Sequence, residues 1–223
     1  MRKFIALVLF ATLFSGYSMQ AQEDANEPKK MTWGMDVFHD VWMGLPGEME
    51  THTILPGINA FALYNFPIGK SDFIFSSGLS LGIHNLKNNM VLGLDSLEHS
   101  TFTVLDSKEF EKSKLSLTYW DIPLELKYKN KNGLLIGIGF KYGFLFKAQT
   151  KLKADNPETE VKDILTTKQS GLPNFESNRY GLTFRAGYKK ISFFGYYSLS
   201  KVFTAGRGPE MYPISVGVSF FPY

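Results

Sequence analysis

The chain contains no cysteine. That excludes a disulfide framework, a cysteine-ligated zinc site and a lipid-modified N-terminal cysteine. It also lacks an excess of either charge. Setting aside Arg2 and Lys3 near the N-terminus, 24 basic residues become 22, against 21 acidic ones. Such a balance gives no electrostatic footprint for nucleic acid, and none is expected as a partner. After Phe14 there is no apolar run near the ~18 residues that a spanning helix needs. If this chain sits in a membrane it must cross as a closed barrel, because lipid offers backbone groups no hydrogen-bond partner. Histidine is scarce: His39, His52, His84 and His99, with no two at metal-ligand spacing. No metal site and no cofactor are expected. His39 reads as lipid-facing near a strand end, His84 as a loop-rim residue, and His52 and His99 as loop residues.

The first 21 residues, MRKFIALVLFATLFSGYSMQA, combine a basic start, an apolar run from Phe4 to Phe14 and a small residue at Ala21. This pattern predicts a secretory signal peptide over 1–21. Residues 22–30 (QEDANEPKK) are polar and aperiodic, and read as a flexible lead-in. The remainder, 31–223, reads as one domain.

That domain is organised around Leu115–Lys147. From Leu134 on, Ile136, Ile138, Phe140, Tyr142, Phe144 and Phe146 fall on one face of a strand. Gly137, Gly139, Lys141, Gly143 and Lys147 fall on the other, with Leu135 and Leu145 as exceptions. Asn132-Gly133 precedes this run as a hairpin signal. Before it, Trp120, Ile122, Leu124, Leu126 and Tyr128 alternate with Asp121, Glu125 and Lys127. A hairpin with one oily face suits a soluble barrel that turns it inward, or an outer-membrane barrel that turns it toward lipid.

Six more runs alternate in the same way, making eight candidate strands: about 32–43, 53–66, 72–83, the two of the hairpin, 179–188, 191–203 and 212–221. The connections after the second, fourth and sixth are short. Those after the third and fifth, roughly 84–114 and 148–178, are long. Alternate turns of an up-and-down meander emerge at one end, so one rim is tight and the other carries every long loop, as in outer-membrane barrels. The runs are ten to fourteen residues long. An apolar band ~25 Å tall, crossed at ~40°, needs about ten residues. Aromatics near strand ends (Trp33, Trp42, Tyr64, Phe66, Phe73, Trp120, Tyr128, Phe146, Tyr180, Tyr188 and Phe220) suit two interfacial girdles. Pro123 predicts a bulge or break near Asp121–Pro123. In the 148–178 connection, Asn156, Pro157, Glu158 and Glu160 fit either a turn of helix or a charged loop.

The run Tyr119-Trp120-Asp121-Ile122-Pro123-Leu124-Glu125-Leu126-Lys127-Tyr128 resembles the Bacteroidota outer-membrane β-barrel family that includes PorT-like proteins. The glycine-rich strand after the turn and the aromatic-ended C-terminal strand add to the likeness. The resemblance implies an eight-stranded barrel in the cell outer membrane, and some members are similar to accessory parts of a protein-secretion system.

The fold expected is therefore all-β: an eight-stranded antiparallel up-and-down transmembrane β-barrel. An eight-stranded barrel has an interior filled by side chains, not an open pore. Asp36, Asp40, Asp121, Glu125, Lys127, Lys141, Arg179 and Arg185 fall on the inferred inner faces. They are expected to form a lumen ion-pair network, since each buried charge needs a partner, rather than an acid–base pair. Ser198 and Ser200 invite a hydrolase reading, but a serine nucleophile needs a histidine base, and none accompanies them in sequence. No catalytic residue is assigned and no enzyme is expected. The expected partners are outer-membrane lipid, and proteins bound through the external loops 84–114 and 148–178. The role expected is structural, adhesive or complex-forming. Two other readings stand beside it: a soluble periplasmic lipocalin-like barrel for a small apolar ligand, and a barrel-type lipid-modifying enzyme.

Overall fold

The computed structural model describes residues 29–51, 56–104, 110–155 and 164–221. The stretch 1–21 read as a signal peptide, most of the expected lead-in, His52 and the helix reading at Asn156–Glu160 lie outside the described residues.

Among these residues there are eleven strands: β1 (Met31–Met43), β2 (Gly57–Pro67), β3 (Phe73–Asn88), β4 (Met90–Leu94), β5 (Ser100–Val104), β6 (Phe110–Lys129), β7 (Leu134–Asp155), β8 (Ile164–Ser170), β9 (Asn178–Tyr188), β10 (Ile191–Ser198) and β11 (Tyr212–Phe220). Eight of them close into one antiparallel barrel in the order β1-β2-β3-β6-β7-β9-β10-β11, with β11 returning to β1. Strands β4 and β5 form a separate hairpin, and β8 pairs only with the outer end of β7.

The period-two pattern becomes two faces of the wall. Ile138, Phe184 and Val216 are 61%, 42% and 42% exposed, and their neighbours Gly137, Arg185 and Ser215 are turned inward. A lipocalin-like core would bury those three apolar residues against one another; here they form part of a continuous outer apolar surface. Rings gather near its two ends. Tyr64 and Phe66 (4.7 Å) and Phe73 and Tyr128 (5.4 Å) meet at the short-turn end, and Tyr197 and Tyr212 (5.9 Å) at the other. Trp42 departs from the girdle expectation. It lies on the inner face of β1, buried, and donates its indole N–H to the Asn85 carbonyl at 3.3 Å.

The tight rim carries the turns β2–β3, β6–β7 and β9–β10. In the second, Gly133 N–H donates to Asn130 O and takes φ +95°, so glycine is required there. Asn132 does not share that conformation, and the turn spans Asn130–Gly133 rather than two residues.

The other rim differs from expectation. The 84–114 and 148–178 connections are largely strand. β3 continues to Asn88, β6 starts at Phe110, β7 runs to Asp155 and β8 folds back along it. β10 stops at Ser198, because Val202 and Phe203 turn into an apolar cluster above the lumen. A register shift lies between Thr118 and Tyr119. Thr118 faces Lys147 while Tyr119 faces Leu145, leaving Phe146 as the extra residue. Such a bulge inverts the alternation beyond it. Lys147, expected inside, is therefore exposed, whereas Leu145 packs inward. At Pro123 the pairing with β3 lapses at Ile122–Pro123, opposite Gly78–Leu79, and resumes in the same register. The missing N–H produces a break without a bulge.

Candidate functional site

The lumen is built from the inward positions of all eight wall strands. All eight charges singled out above are buried there, each at most 4% exposed. Four carboxylates face four cations, so the interior is formally neutral.

Two centres organise it. In the first, Arg179 of β9 forms a fork with Asp121 of β6: Nε donates to Oδ1 at 2.8 Å and Nη2 to Oδ2 at 2.6 Å. Lys141 Nζ lies 3.9 Å from the same carboxylate and 5.1 Å from the Tyr196 ring centre. The guanidinium stacks 3.9 Å from the Tyr119 ring centre. Gly143 makes this approach feasible, because a Cβ there would strike Asp121 Oδ1 and sit 3.0 Å from the Arg179 chain.

His84, read from sequence as a loop-rim residue, is buried inside β3 and joins this centre. Arg179 Nη1 donates to its Nε2 at 2.6 Å, and its Nδ1 lies 3.0 Å from both oxygens of Asp40. A guanidinium can only donate, so Nε2 accepts and Nδ1–H donates to Asp40. Asp40 is completed by Ser215 Oγ at 2.6 Å. None of the four expected cations pairs with Asp40; its partner is His84. The signal was available: His84 continues the inward series Ser76, Ser80, Gly82 by two residues.

In the second centre, Arg185 of β9 bridges strands on opposite sides of the barrel. It donates to Glu125 Oε1 at 3.1 Å and to both oxygens of Asp36, at 2.6 and 3.1 Å. Asp36 also accepts from Ser219 Oγ at 2.6 Å and Asn59 Nδ2 at 2.7 Å. Lys127 Nζ stands 3.3 Å from Glu125 Oε2, an ion pair without hydrogen-bond alignment. Rings pack around the cation: Phe61 and Phe194 lie 4.7 and 4.9 Å from it. Phe221 turns inward just past β11 and meets Phe61 edge-on at 5.7 Å.

Above the ionic layer the external mouth is filled. Trp42, Leu86, Leu115, Leu117, Phe175, Phe203 and Met211 form one buried cluster, and the β4–β5 hairpin folds onto it with Met90, Leu92 and Phe102. Hydrogen bonds between the loops lock the cap. Ser100 N donates to Arg207 O at 2.8 Å, Thr204 N to Asn174 O at 2.9 Å, and Asn174 Nδ2 to Glu98 O at 2.7 Å.

The serines take part in this packing. Ser198 Oγ bonds the Ser200 carbonyl at 3.0 Å, and Ser200 Oγ accepts from Tyr180 N–H at 3.2 Å. Both ring nitrogens of His84 are engaged with Asp40 and Arg179, so neither serine pairs with it. Among the described residues no group of three acidic or histidine side chains could hold a metal ion.

A closed eight-stranded barrel, apolar outside, ionic within and ringed by aromatics, defines an outer-membrane β-barrel protein. A family model described as "outer membrane protein beta-barrel domain" matches residues 58–204, more than half of the chain, and the chain belongs to that family. Its place is the outer membrane. No curated protein matches the sequence. Among solved structures, the chain is similar to that of Ail, the attachment invasion locus protein of Yersinia pestis, crystallised with the heparin analogue sucrose octasulfate. The identity is 9%, the TM-score is 0.35, and the match covers 86% of this chain and 95% of that one.

Proposed function

We propose that this protein is a non-conducting outer-membrane scaffold that presents its interlocked external loops to a protein partner, in an adhesive or complex-forming role. The observation that carries this reading is the cap. Three external connections are joined by backbone hydrogen bonds over a continuous apolar cluster, and the fourth, between β1 and β2, is tied to them through the Asn89 side chain, which makes a rigid surface rather than a set of free loops. Binding residues are disproportionately carried by loops on a rigid scaffold. The PorT-like character of the Tyr119–Tyr128 run supports membership of a secretion-accessory group within the family. The protein is proposed not to be an enzyme: the serines and the histidine are committed to structural bonds.

The test is to purify the protein from its native outer membrane and identify what accompanies it. A chain lacking 90–104, the β4–β5 hairpin and its tip, should keep its heat-modifiable gel migration and lose the partner. Retention of the partner by that variant, or single-channel currents through the intact protein in a planar bilayer, would overturn the proposal.

A further inference from the structure

Beyond the bulge at Phe146, the wall formed by β3, β6 and β7 continues past the aromatic ring, its inner face packed on the capping cluster. Its outer face changes character. On β6 the outward series runs Leu124, Ile122, Trp120, then Thr118, Ser116 and Lys114. The cross-strand register places Lys87 opposite Lys114, and Lys114 opposite Lys151. Lys147 stands at the foot of the row, opposite Thr118, directly after the exposed Phe146.

Like charges directly opposite on adjacent strands destabilise a sheet. Strands stand about 4.8 Å apart, inside the ~8 Å screening length of physiological salt. Burial, and the neighbouring Lys151, hold the Lys114 ammonium below the ordinary lysine range. Among the described residues no carboxylate forms an ion pair with Lys114, Lys147 or Lys151. Lys114 and Lys151 side by side, with Lys147 further down the same face, are the arrangement expected of a surface completed by an external anion.

The position of the row selects the anion. These lysines share the face that lower down meets lipid, so they look sideways over the bilayer rather than up into the medium. Lys151 lies five steps along the strand from Phe146. At ~3.3 Å per residue and a tilt near 40°, the row spans roughly 13 Å above the aromatic ring, the depth occupied by lipid headgroups. We infer that Lys114, Lys147 and Lys151 form a binding face for phosphate-bearing lipid headgroups of the outer leaflet, fixing the height and rotation of the barrel among its lipids.

The test uses the full chain in neutral dodecylmaltoside micelles, titrated with lipid A as the phosphate-bearing probe. The triple variant Lys114→Gln/Lys147→Gln/Lys151→Gln should bind at least about tenfold more weakly, and wild-type binding should weaken as sodium chloride is raised. In micelles without lipid A, this variant should unfold no earlier than wild type, because its repulsion is relieved. A control that removes as much charge from the opposite rim, Lys70→Gln/Lys131→Gln/Lys190→Gln, should bind like wild type. Undiminished binding by the first variant, or equal loss in the control, would overturn the assignment. So would salt-insensitive binding by the wild-type chain, which is read out even if the variant does not fold. Capture of a soluble polysulfated saccharide with no response to lipid A would assign the face to a soluble polyanion and reject the lipid.

Discussion

Arg179 shows what a single buried side chain demands of its surroundings. Its guanidinium meets Asp121 through two bonds, His84 through a third and the Tyr119 ring face. Removing one partner of such a pair strands the other charge in a low-dielectric interior, at a cost of about 3–5 kcal/mol. Asp121→Ala should therefore lower the urea midpoint of the refolded barrel far more than Ser116→Ala on the outer sheet face. Gly143→Ala should have a smaller effect in the same direction, since the new methyl must displace the fork. The eight charges of the lumen were legible from sequence because period-two alternation assigns each residue to a face. The pairing was not legible, because it joins residues as far apart as Asp36 and Arg185 on strands that are not neighbours. His84 was not legible for a related reason: the alternation is clear only to Ile83, whereas the strand runs five residues further, to Asn88.

At the scale of the element, the external hairpin is the most informative. Asp95 accepts backbone N–H bonds from His99 and Leu97, both at 2.8 Å, and these hold its carboxyl below the usual aspartate range. A lowered folded value means the stabilisation is complete above the ordinary aspartate pKa of ~3.9 and disappears as pH falls through the lowered one. Hydrogen-exchange protection of the Leu97 and His99 amides should decline on acidification below about pH 4, and Asp95→Asn should abolish that dependence. The wall strands were read well from alternation and turn residues. The outer extensions were not, because beyond the aromatic ring no lipid enforces an apolar face. The stretches 84–88 and 148–155 thus lose the pattern that marks a strand, and the bulge at Phe146 inverts the phase as well.

For the whole molecule, orientation decides everything. Ile138, Phe184 and Val216 lie on the outer surface, so single-cysteine variants at these positions in proteoliposomes should react with a lipid-phase maleimide and not with an aqueous one. The opposite result would return the oily faces to a core. The absence of native cysteine makes the labelling clean. The same absence allows the closure of the wall to be timed. β6 and β7 are joined by a four-residue turn, whereas β1 and β11 meet only when the two ends of the domain come together, with Val37 opposite Val218. Two inner bonds cross that last seam, Ser219 to Asp36 and Ser215 to Asp40, and Arg185 of β9 adds two more to Asp36. Local hairpins form in microseconds, while distant pairings wait on chain closure. During insertion the barrel must then pass through an open-sided form whose two unmatched borders face each other across the gap. A thiol-specific bifunctional reagent bridging Val37→Cys and Val218→Cys should capture the protein only once that gap has shut. The interval before capture measures how long the cell's insertion machinery must shield the two borders from lipid.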